Sequence, residues 1–105
     1  MIYTLEAKIS LATKEISMYF KNPTASTHDV VCELYVISDG KEYRIAKSGR
    51  IPAGYALSTM TYTDEAAILS EGMYSGKYKV QCYDPKTGEM ALVAPEITDV
   101  SISVK

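Results

Sequence analysis

A single histidine lies beside several groups that could take part in hydrolytic chemistry. His28 occurs in the segment STHDVV, where Asp29 could orient its imidazole ring and Ser26 or Thr27 could supply a hydroxyl nucleophile. Nucleophilic catalysis requires such groups to converge within hydrogen-bond reach. Sequence neighbours that enter a β-strand point to different sides, so this segment does not predict a catalytic triad. We expect His28 to be a solvent-exposed loop residue and the protein not to be an enzyme.

A second candidate for chemistry is the glycine-containing segment SGRIPAGYAL at residues 48–57. A phosphate-binding loop needs a buried strand before it, a helix after it and usually a lysine with Ser or Thr after the last glycine. Here the chain after Gly54 reads YALSTMTYT, which is rich in Tyr and Thr and poor in helix formers. Pro52 and Gly54 instead suit a turn in which Pro52 is the first central residue. We therefore expect a corner of the chain and not an anion site.

Carboxylates and metal ligands show no productive spacing. The acidic residues are scattered, so no pair of carboxylates stands out for glycoside cleavage. The chain has no Asp-x-Asp spacing of the kind found in calcium loops. It also has neither a Cys-x-x-Cys motif nor a second histidine to complete a zinc site. We expect no metal and no cofactor.

The composition limits the class of protein. A chain of 105 residues fits one domain, which we expect to span residues 1–105. Its formal net charge of −2 argues against nucleic-acid binding, which depends on clustered Lys and Arg. No apolar run approaches the roughly 18 residues that cross a bilayer, and no signal peptide opens the chain. We expect no membrane insertion, and either an intracellular protein or a piece cut from a longer precursor.

Apolar residues alternate with polar ones along most of the chain. This period of two is typical of antiparallel strands with one buried and one solvated face. The residues that the alternation places on the buried face are Tyr3, Leu5, Ala7 and Ile9; Ile16, Met18 and Phe20; Val30, Cys32, Leu34 and Val36; Tyr74, Gly76, Tyr78, Val80 and Cys82; and Val100, Ile102 and Val104. The sequence therefore predicts an all-β protein.

Turn residues separate these segments. Asp39-Gly40 is the preferred composition of a two-residue hairpin, and the segment DPKTG at residues 84–88 predicts another reversal. Pro23 ends a strand because it restricts Asn22 and donates no ladder hydrogen bond. Residues 64–72 could form a short helical turn capped by Asp64, or a loop between sheets. Seven or eight short strands with regular turns predict a sandwich or small barrel.

Four short motifs, in this order and spacing, resemble the immunoglobulin-like and fibronectin-type-III-like modules of bacterial surface and secreted proteins. They are FKNP at 20–23, SGRIPAG at 48–54, LSEGMY at 69–74 and CYD at 82–84. The likeness is strongest to small, poorly characterised domains of Gram-positive bacteria, and it covers most of the chain. It implies an immunoglobulin-like antiparallel β-sandwich of seven to eight strands, usually extracellular or on the cell surface. It implies no catalytic residues.

The resemblance also suggests structural roles for particular residues. In such sandwiches a Tyr near the start of a strand returns its hydroxyl to the upstream backbone, and we assign that role to Tyr74, with Leu69 filling the core beneath it. Cys32 and Cys82 would lie on neighbouring strands of one sheet. Two buried free thiols are the simplest interpretation, and a cross-strand disulfide stays open if the two residues lie opposite each other.

The solvated face is the remaining place for function. Tyr35 and Tyr83 are predicted to point outward from adjacent strands, with Ile37, Lys79 and Gln81 nearby. Aromatic rings among polar groups suit the binding of a protein or a glycan, although cross-strand packing alone would also explain them. We expect a non-enzymatic interaction or spacer module of a bacterial cell-surface or secreted protein. A carbohydrate-binding module and a phage or virion decoration domain are the alternatives.

Overall fold

The computed structural model describes residues 2–62, 69–91 and 95–105. All regular secondary structure in these ranges is β, and no helix occurs within them, so none that could span a bilayer is present there. The strands are β1 (Ile2–Tyr3), β2 (Glu6–Ser10), β3 (Glu15–Lys21), β4 (Asp29–Ser38), β5 (Lys41–Lys47), β6 (Ala56–Thr61), β7 (Gly72–Tyr83) and β8 (Glu96–Val104). The expected all-β class is confirmed. Asp64, the suggested cap of a helical turn, lies outside the described residues.

The eight strands form one mixed sheet in the order β1-β3-β2-β8-β7-β4-β5, with β6 paired to β3. All strand pairs are antiparallel except β2 and β8, which run parallel from the pair Glu6–Ser101 to the pair Ile9–Val104. This parallel pairing of the first and last long strands departs from the wholly antiparallel arrangement that the alternation suggested. A bridge between Ala46 and Tyr62 links β5 to the chain just after β6.

Inward-facing side chains from the long strands meet in one hydrophobic cluster. The predicted buried residues of β3, β4 and β8 are all found there, as are Tyr78 and Val80 of β7. Because strands from both ends of the sheet order contribute to the same cluster, the sheet must wrap around a single core. The period of two along these strands was therefore a correct guide to burial.

The first segment breaks the predicted pattern. Ala7 and Ile9 are buried, but Tyr3 is 41% exposed and Leu5 is 46% exposed, so the expectation that these two face the core is wrong. The strand is interrupted between Tyr3 and Glu6, where the chain stops pairing with the end of β3 and begins to pair with β8. Tyr3 and Leu5 therefore lie at the margin of the sheet.

Burial on the outer face of β4 was also unexpected. Val31 is 6% exposed and Glu33 is 7% exposed, although the alternation places both on the solvated side. β4 is flanked by β5 and β7, and Glu33 pairs with Lys47 on one side and Lys79 on the other. Long side chains on both neighbours cover the middle of a central strand, an effect that alternation alone does not predict.

The predicted turns are present. Asp39 and Gly40 both have positive φ, at 51° and 74°, as a type I′ hairpin requires. At residues 84–88 the Asp84 carboxylate accepts hydrogen bonds from the backbone N–H groups of Lys86 and Thr87, and Gly88 has φ of 75°. These features reverse the chain after β7.

The corner at 48–57 is a turn, and strand β6 follows it. The Tyr55 N–H donates to the Pro52 carbonyl over 3.1 Å, and Gly54 has φ of 85°, which favours glycine. Pro52 is therefore the first residue of the turn, and the prediction that it is the first central residue is wrong. The absence of a following helix in the described chain leaves the segment without the helix N-terminus of a phosphate loop.

The chain enters and leaves at opposite ends of an elongated molecule measuring 41 × 25 × 22 Å. One end, the loop end, carries Ile2 and the connections 22–28, 48–55 and 84–91. The other, the turn end, carries the tight connections 11–14 and 39–40 and residue Lys105. This separation follows from the parallel pairing of β2 with β8, since both strands run from the loop end to the turn end.

Candidate functional site

The outer faces of β4, β5 and β7, with the first residue of β8, carry a cluster of ionisable side chains that we name the charged face. It consists of the ion-paired residues Glu33, Glu42, Arg44, Lys77, Lys79 and Glu96, three acids and three bases. Lys77 Nζ contacts the Glu42 carboxylate and lies 3.2 Å from Glu96 Oε1. Lys79 Nζ lies 3.4 Å and 3.9 Å from carboxylate oxygens of the same two glutamates. Each lysine thus lies between the same two acids.

These contacts shift the titration of their partners. The hydrogen bond from Lys77 lowers the pKa of Glu42, and Lys79 acts in the same direction. Conversely, the hydrogen bond to Glu42 raises the pKa of Lys77, and Glu96 adds to it. Both shifts favour the charged forms, so the face holds paired ions at neutral pH. Its charges are directed toward one another.

Tyr35, one of the predicted binding residues, packs into this face. Lys79 Nζ lies 4.6 Å from the centroid of its ring, a cation–π distance. Burial, and then the charge of Glu33, raise the pKa of the Tyr35 hydroxyl. Arg44 Nη1 binds Glu33 Oε2 at 3.0 Å. Ile37, further along β4, is 39% exposed near the turn end.

Tyr83, the second predicted aromatic residue, lies in a different place. It pairs with Asp29 at one end of β4, whereas Tyr35 lies near the other end of that strand, about 20 Å away at about 3.4 Å per residue. The Arg50 guanidinium lies 4.7 Å above the Tyr83 ring, and its Nη1 is 3.9 Å from Asp29 Oδ2. Gln81 pairs with Val31 between the two tyrosines. The five predicted residues therefore share a face but form no single aromatic platform.

A buried asparagine organises the loop end. Asn22 is 1% exposed, and its Nδ2 donates to the carbonyls of His28 and Ile51, each over 2.9 Å. Its backbone N–H donates to the Tyr55 carbonyl over 3.0 Å, and its carbonyl accepts from the Gly54 N–H over 2.8 Å. One residue thus joins the connection 22–28 to the corner at 48–55. From the sequence we predicted only that Asn22 ends a strand, although the Asn-Pro and Ile-Pro-x-Gly motifs mark the two connections that it joins.

Of the catalytic contacts considered for His28, the described residues show one, to the hydroxyl of Thr27. Its Nδ1 lies 2.9 Å from Thr27 Oγ1, whereas Ser26 Oγ donates to the His28 backbone carbonyl over 3.0 Å. The Asp29 carboxylate faces Arg50 at 3.9 Å. We expected His28 to be solvent-exposed, but it is half-buried. The imidazole ring is therefore not placed to activate the Ser26 hydroxyl.

The two cysteines are free and offset from each other. Cys32 pairs with Val80, and Cys82 pairs with Val30, so the thiols lie diagonally across β4 and β7. Diagonal neighbours are about 7–8 Å apart, beyond the usual span of a disulfide. Burial, and to a lesser extent Glu33, raise the pKa of Cys32 to about 12, and burial raises that of Cys82. Both thiols are therefore weak nucleophiles.

Two tyrosines of β7 differ in how their hydroxyl groups are satisfied. The Tyr74 hydroxyl donates to the Ser70 carbonyl over 3.0 Å and accepts from the Ser70 N–H over 3.2 Å, just after the buried Leu69. The Tyr78 hydroxyl is buried and has no hydrogen-bond partner among the residues that the structure describes. Burial accordingly raises the Tyr78 pKa. One hydroxyl ties the strand to the upstream backbone, and the other lies unsatisfied in the core.

Within residues 2–62, 69–91 and 95–105, no three His, Cys, Asp or Glu side chains are grouped so that they could hold a metal ion. Comparison of the chain with protein-family models, with curated proteins and with solved structures gives no match. The function must therefore be inferred from the geometry of the chain itself.

Proposed function

We propose that this chain is a non-enzymatic interaction or spacer module with an immunoglobulin-like β-sandwich fold, part of a bacterial cell-surface or secreted protein. The strand order supports the fold. β1, β3 and β6 are neighbours in one run, β8, β7, β4 and β5 are neighbours in another, and β2 lies between the two runs. Both runs contribute to one core, as two packed layers would.

The observation that carries the proposal is the separation of the two ends of the chain. Strands β2 and β8, the first and last long strands, point in the same direction. The described chain therefore enters at the loop end and leaves at the turn end of a 41 Å axis. Modules joined in series need this arrangement, because each copy then adds its full length to the array. A domain with adjacent ends would instead hang from the array as a side branch.

The charged face supports the same proposal. Its acids and bases neutralise one another, and Lys79 covers one face of the Tyr35 ring. A sugar-binding platform needs open aromatic faces close enough to meet one ligand. Tyr35 and Tyr83 are far apart, and each already has a cation over its ring. These contacts favour a structural role for this face over carbohydrate binding.

The proposal is tested by joining two copies through a short linker from Lys105 of one copy to Ile2 of the next. Small-angle X-ray scattering should give a maximum dimension close to twice the 41 Å axis of one copy. A doublet no longer than one copy would contradict the spacer role. A hydrolytic activity of the purified protein that is lost in His28→Ala would contradict the non-enzymatic role.

A further inference from the structure

We infer that the loop end holds a binding site for a tryptophan side chain of a partner polypeptide, in a cavity beside Asn22. The inference rests on the interaction role in the proposed function, and it names the chemistry that a partner would present. The cavity lies between the connection 22–28, the start of β4 at Val30 and the end of β7 at Cys82.

The cavity has the size and the lining of a small apolar pocket. Its volume is about 350 Å³, within the range of roughly 300–1,000 Å³ that is usual for ligand pockets. Pro23, Ala25 and Val30 contribute to a mainly apolar wall, and none of the described residues that line it is an acid, a lysine or an arginine. Because an unpaired charge is costly to bury, the wall favours a neutral, apolar group.

Asn22 adds a directional polar group to this wall. It is 1% exposed, and its Nδ2 donates to the carbonyls of His28 and Ile51. Since both partners can only accept, the nitrogen is fixed on their side. The Asn22 Oδ1 accepts no hydrogen bond from the described residues. Among those residues only the Tyr78 hydroxyl is a fully buried side-chain group without a partner, so the Asn22 Oδ1 opens onto the cavity.

An indole ring matches the apolar wall and the open acceptor together. It is flat and apolar, and it carries one N–H donor and no acceptor. The Ser26 hydroxyl, which also lines the cavity, already donates to the His28 carbonyl over 3.0 Å. A ring without a donor would leave the Asn22 Oδ1 desolvated and unpaired. The indole N–H would instead donate to it.

The surroundings of the cavity favour a polypeptide that carries this ring. Tyr55 is exposed, and its carbonyl accepts a hydrogen bond from the Asn22 N–H. Met90 is also exposed, and the next residue, Ala91, donates its N–H to the Cys82 carbonyl. Tyrosine and methionine are enriched at protein interfaces, and tryptophan anchors fill pockets near their centres. The cavity thus lies beside apolar surface that a free small molecule would not cover.

A fluorescence titration tests the site directly, because the chain contains no tryptophan of its own. The probe is N-acetyltryptophanamide, which presents the ring as a peptide does. We expect saturable binding, with a shift of the indole emission to shorter wavelength as the ring leaves water. No saturable binding would overturn the inference. Binding of free indole but not of N-acetyltryptophanamide would also overturn it, since the occupant would then be a small molecule.

The role of the Asn22 Oδ1 is tested with a modified probe, because removal of the Asn22 side chain should destabilise the fold. N-acetyl-1-methyltryptophanamide has the same ring system without the N–H donor. We expect it to bind at least about fivefold more weakly than N-acetyltryptophanamide. Equal affinity of the two probes would overturn the assignment of the Asn22 Oδ1 as the acceptor.

The location of the probe is tested through the two cysteines of the unmodified protein. Cys82 is half-buried and lines the cavity, whereas Cys32 is fully buried and serves as an internal reference. Saturating N-acetyltryptophanamide should slow the alkylation of Cys82 by iodoacetamide severalfold more than that of Cys32, as measured by peptide mass spectrometry. An unchanged rate at Cys82 would overturn the location.

A matched pair of variants gives a second test of location. Ala25→Phe places a ring of this chain at the mouth of the cavity and should abolish binding. Ala12→Phe makes the same change at an exposed alanine of the turn end and should leave binding unchanged. Full binding by folded Ala25→Phe would overturn the site, and the Cys82 measurement decides if that variant does not fold. The spacer role fails separately, if scattering of the tandem protein shows a compact doublet.

Discussion

The loop end and the charged face use polar groups in opposite ways. At the loop end, one buried side chain, Asn22, satisfies two carbonyls over 2.9 Å and joins two connections. On the charged face, two lysines and two glutamates share four ion pairs, in which the glutamates are exposed and the lysines are half-buried. Buried hydrogen bonds are costly to lose because the partners stay desolvated, whereas ion pairs with an exposed partner are screened by solvent and contribute less. We therefore expect a few buried hydrogen bonds to contribute more to the free energy of unfolding than the ion pairs of the charged face do.

The largest effect is expected at the loop end. Asn22→Ala should lower the free energy of unfolding by about 2–4 kcal/mol, because it leaves the His28 and Ile51 carbonyls without their donor and creates a cavity. Urea denaturation measures the change. Asn22→Asp preserves the shape but replaces the donor by an acceptor, so it should be at least as destabilising at pH 7. If Asn22→Ala lowers the free energy of unfolding and Asn22→Asp does not, the effect comes from packing and not from the lost hydrogen bonds.

A second effect is expected from the buried thiol in alkaline solution. Cys32 ionises in the unfolded chain above pH 9.0 but stays neutral in the folded protein up to a pKa of about 12. Its contribution is therefore complete below pH 9 and is lost as the pH rises from there to 12. Between pH 9 and pH 10.5 the loss should be about 2 kcal/mol.

Urea titrations at these pH values measure that loss, with Cys32→Ala as the control. The variant lacks the thiol, so its stability should fall less steeply over the same interval. Parallel curves for the two proteins would exclude Cys32 as the source of the alkaline instability.

The two tyrosines of β7 sharpen the comparison because the same substitution should act in opposite directions. Tyr78→Phe removes a buried hydroxyl that has no partner within the described part of the chain, and it should stabilise the protein by about 1 kcal/mol. Tyr74→Phe removes the bonds to Ser70 at a half-buried site, and it should destabilise by about 0.5–1 kcal/mol. Thermal and urea denaturation of the pair give the sign directly. A loss of stability in Tyr78→Phe would mean that its hydroxyl has a partner.

The smallest effect is expected on the charged face. Lys77→Met should change the urea midpoint less than Tyr74→Phe does, because Lys79 still lies beside both Glu42 and Glu96. The difference between Lys77→Met and the unmodified protein should shrink further in 1 M salt. A large, salt-independent loss would show that the face is a stabilising network, and it would weaken the contrast with the loop end.

Acid should affect the same face. The pKa of Glu42 is lowered in the folded protein, so its contribution is present above its ordinary value of 4.5 and is lost as the pH falls through the lower, folded value. At the loop end, the pKa of Asp84 is also lowered, because hydrogen bonds from the N–H groups of Thr87 and Lys86 hold it below 3.8. Its contribution to stability is therefore also lost in acid. Glu42 is exposed and Asp84 is half-buried at the surface, so the loss in acid should be gentle.

Local pattern was enough to predict most strands and their buried sides. Ile16, Phe20, Leu34, Val80 and Ile102 alternate with polar neighbours and are all in the core, because burial along a strand repeats every second residue. The Asp39-Gly40 turn was equally predictable, since its positive φ values favour those residue types. These features depend only on residues close in sequence.

Strand partners, in contrast, were decided by the tertiary structure. The parallel pairing of β2 with β8, the burial of Glu33 between two strands and the offset of Cys32 from Cys82 all join residues distant in sequence. So does the contact of Asn22 with Ile51. Alternation tells which side a residue faces but carries no information about which strand lies beside it or in what register. For that reason the core could be read from the amino acids, while the polar contacts and the direction of the last strand could not.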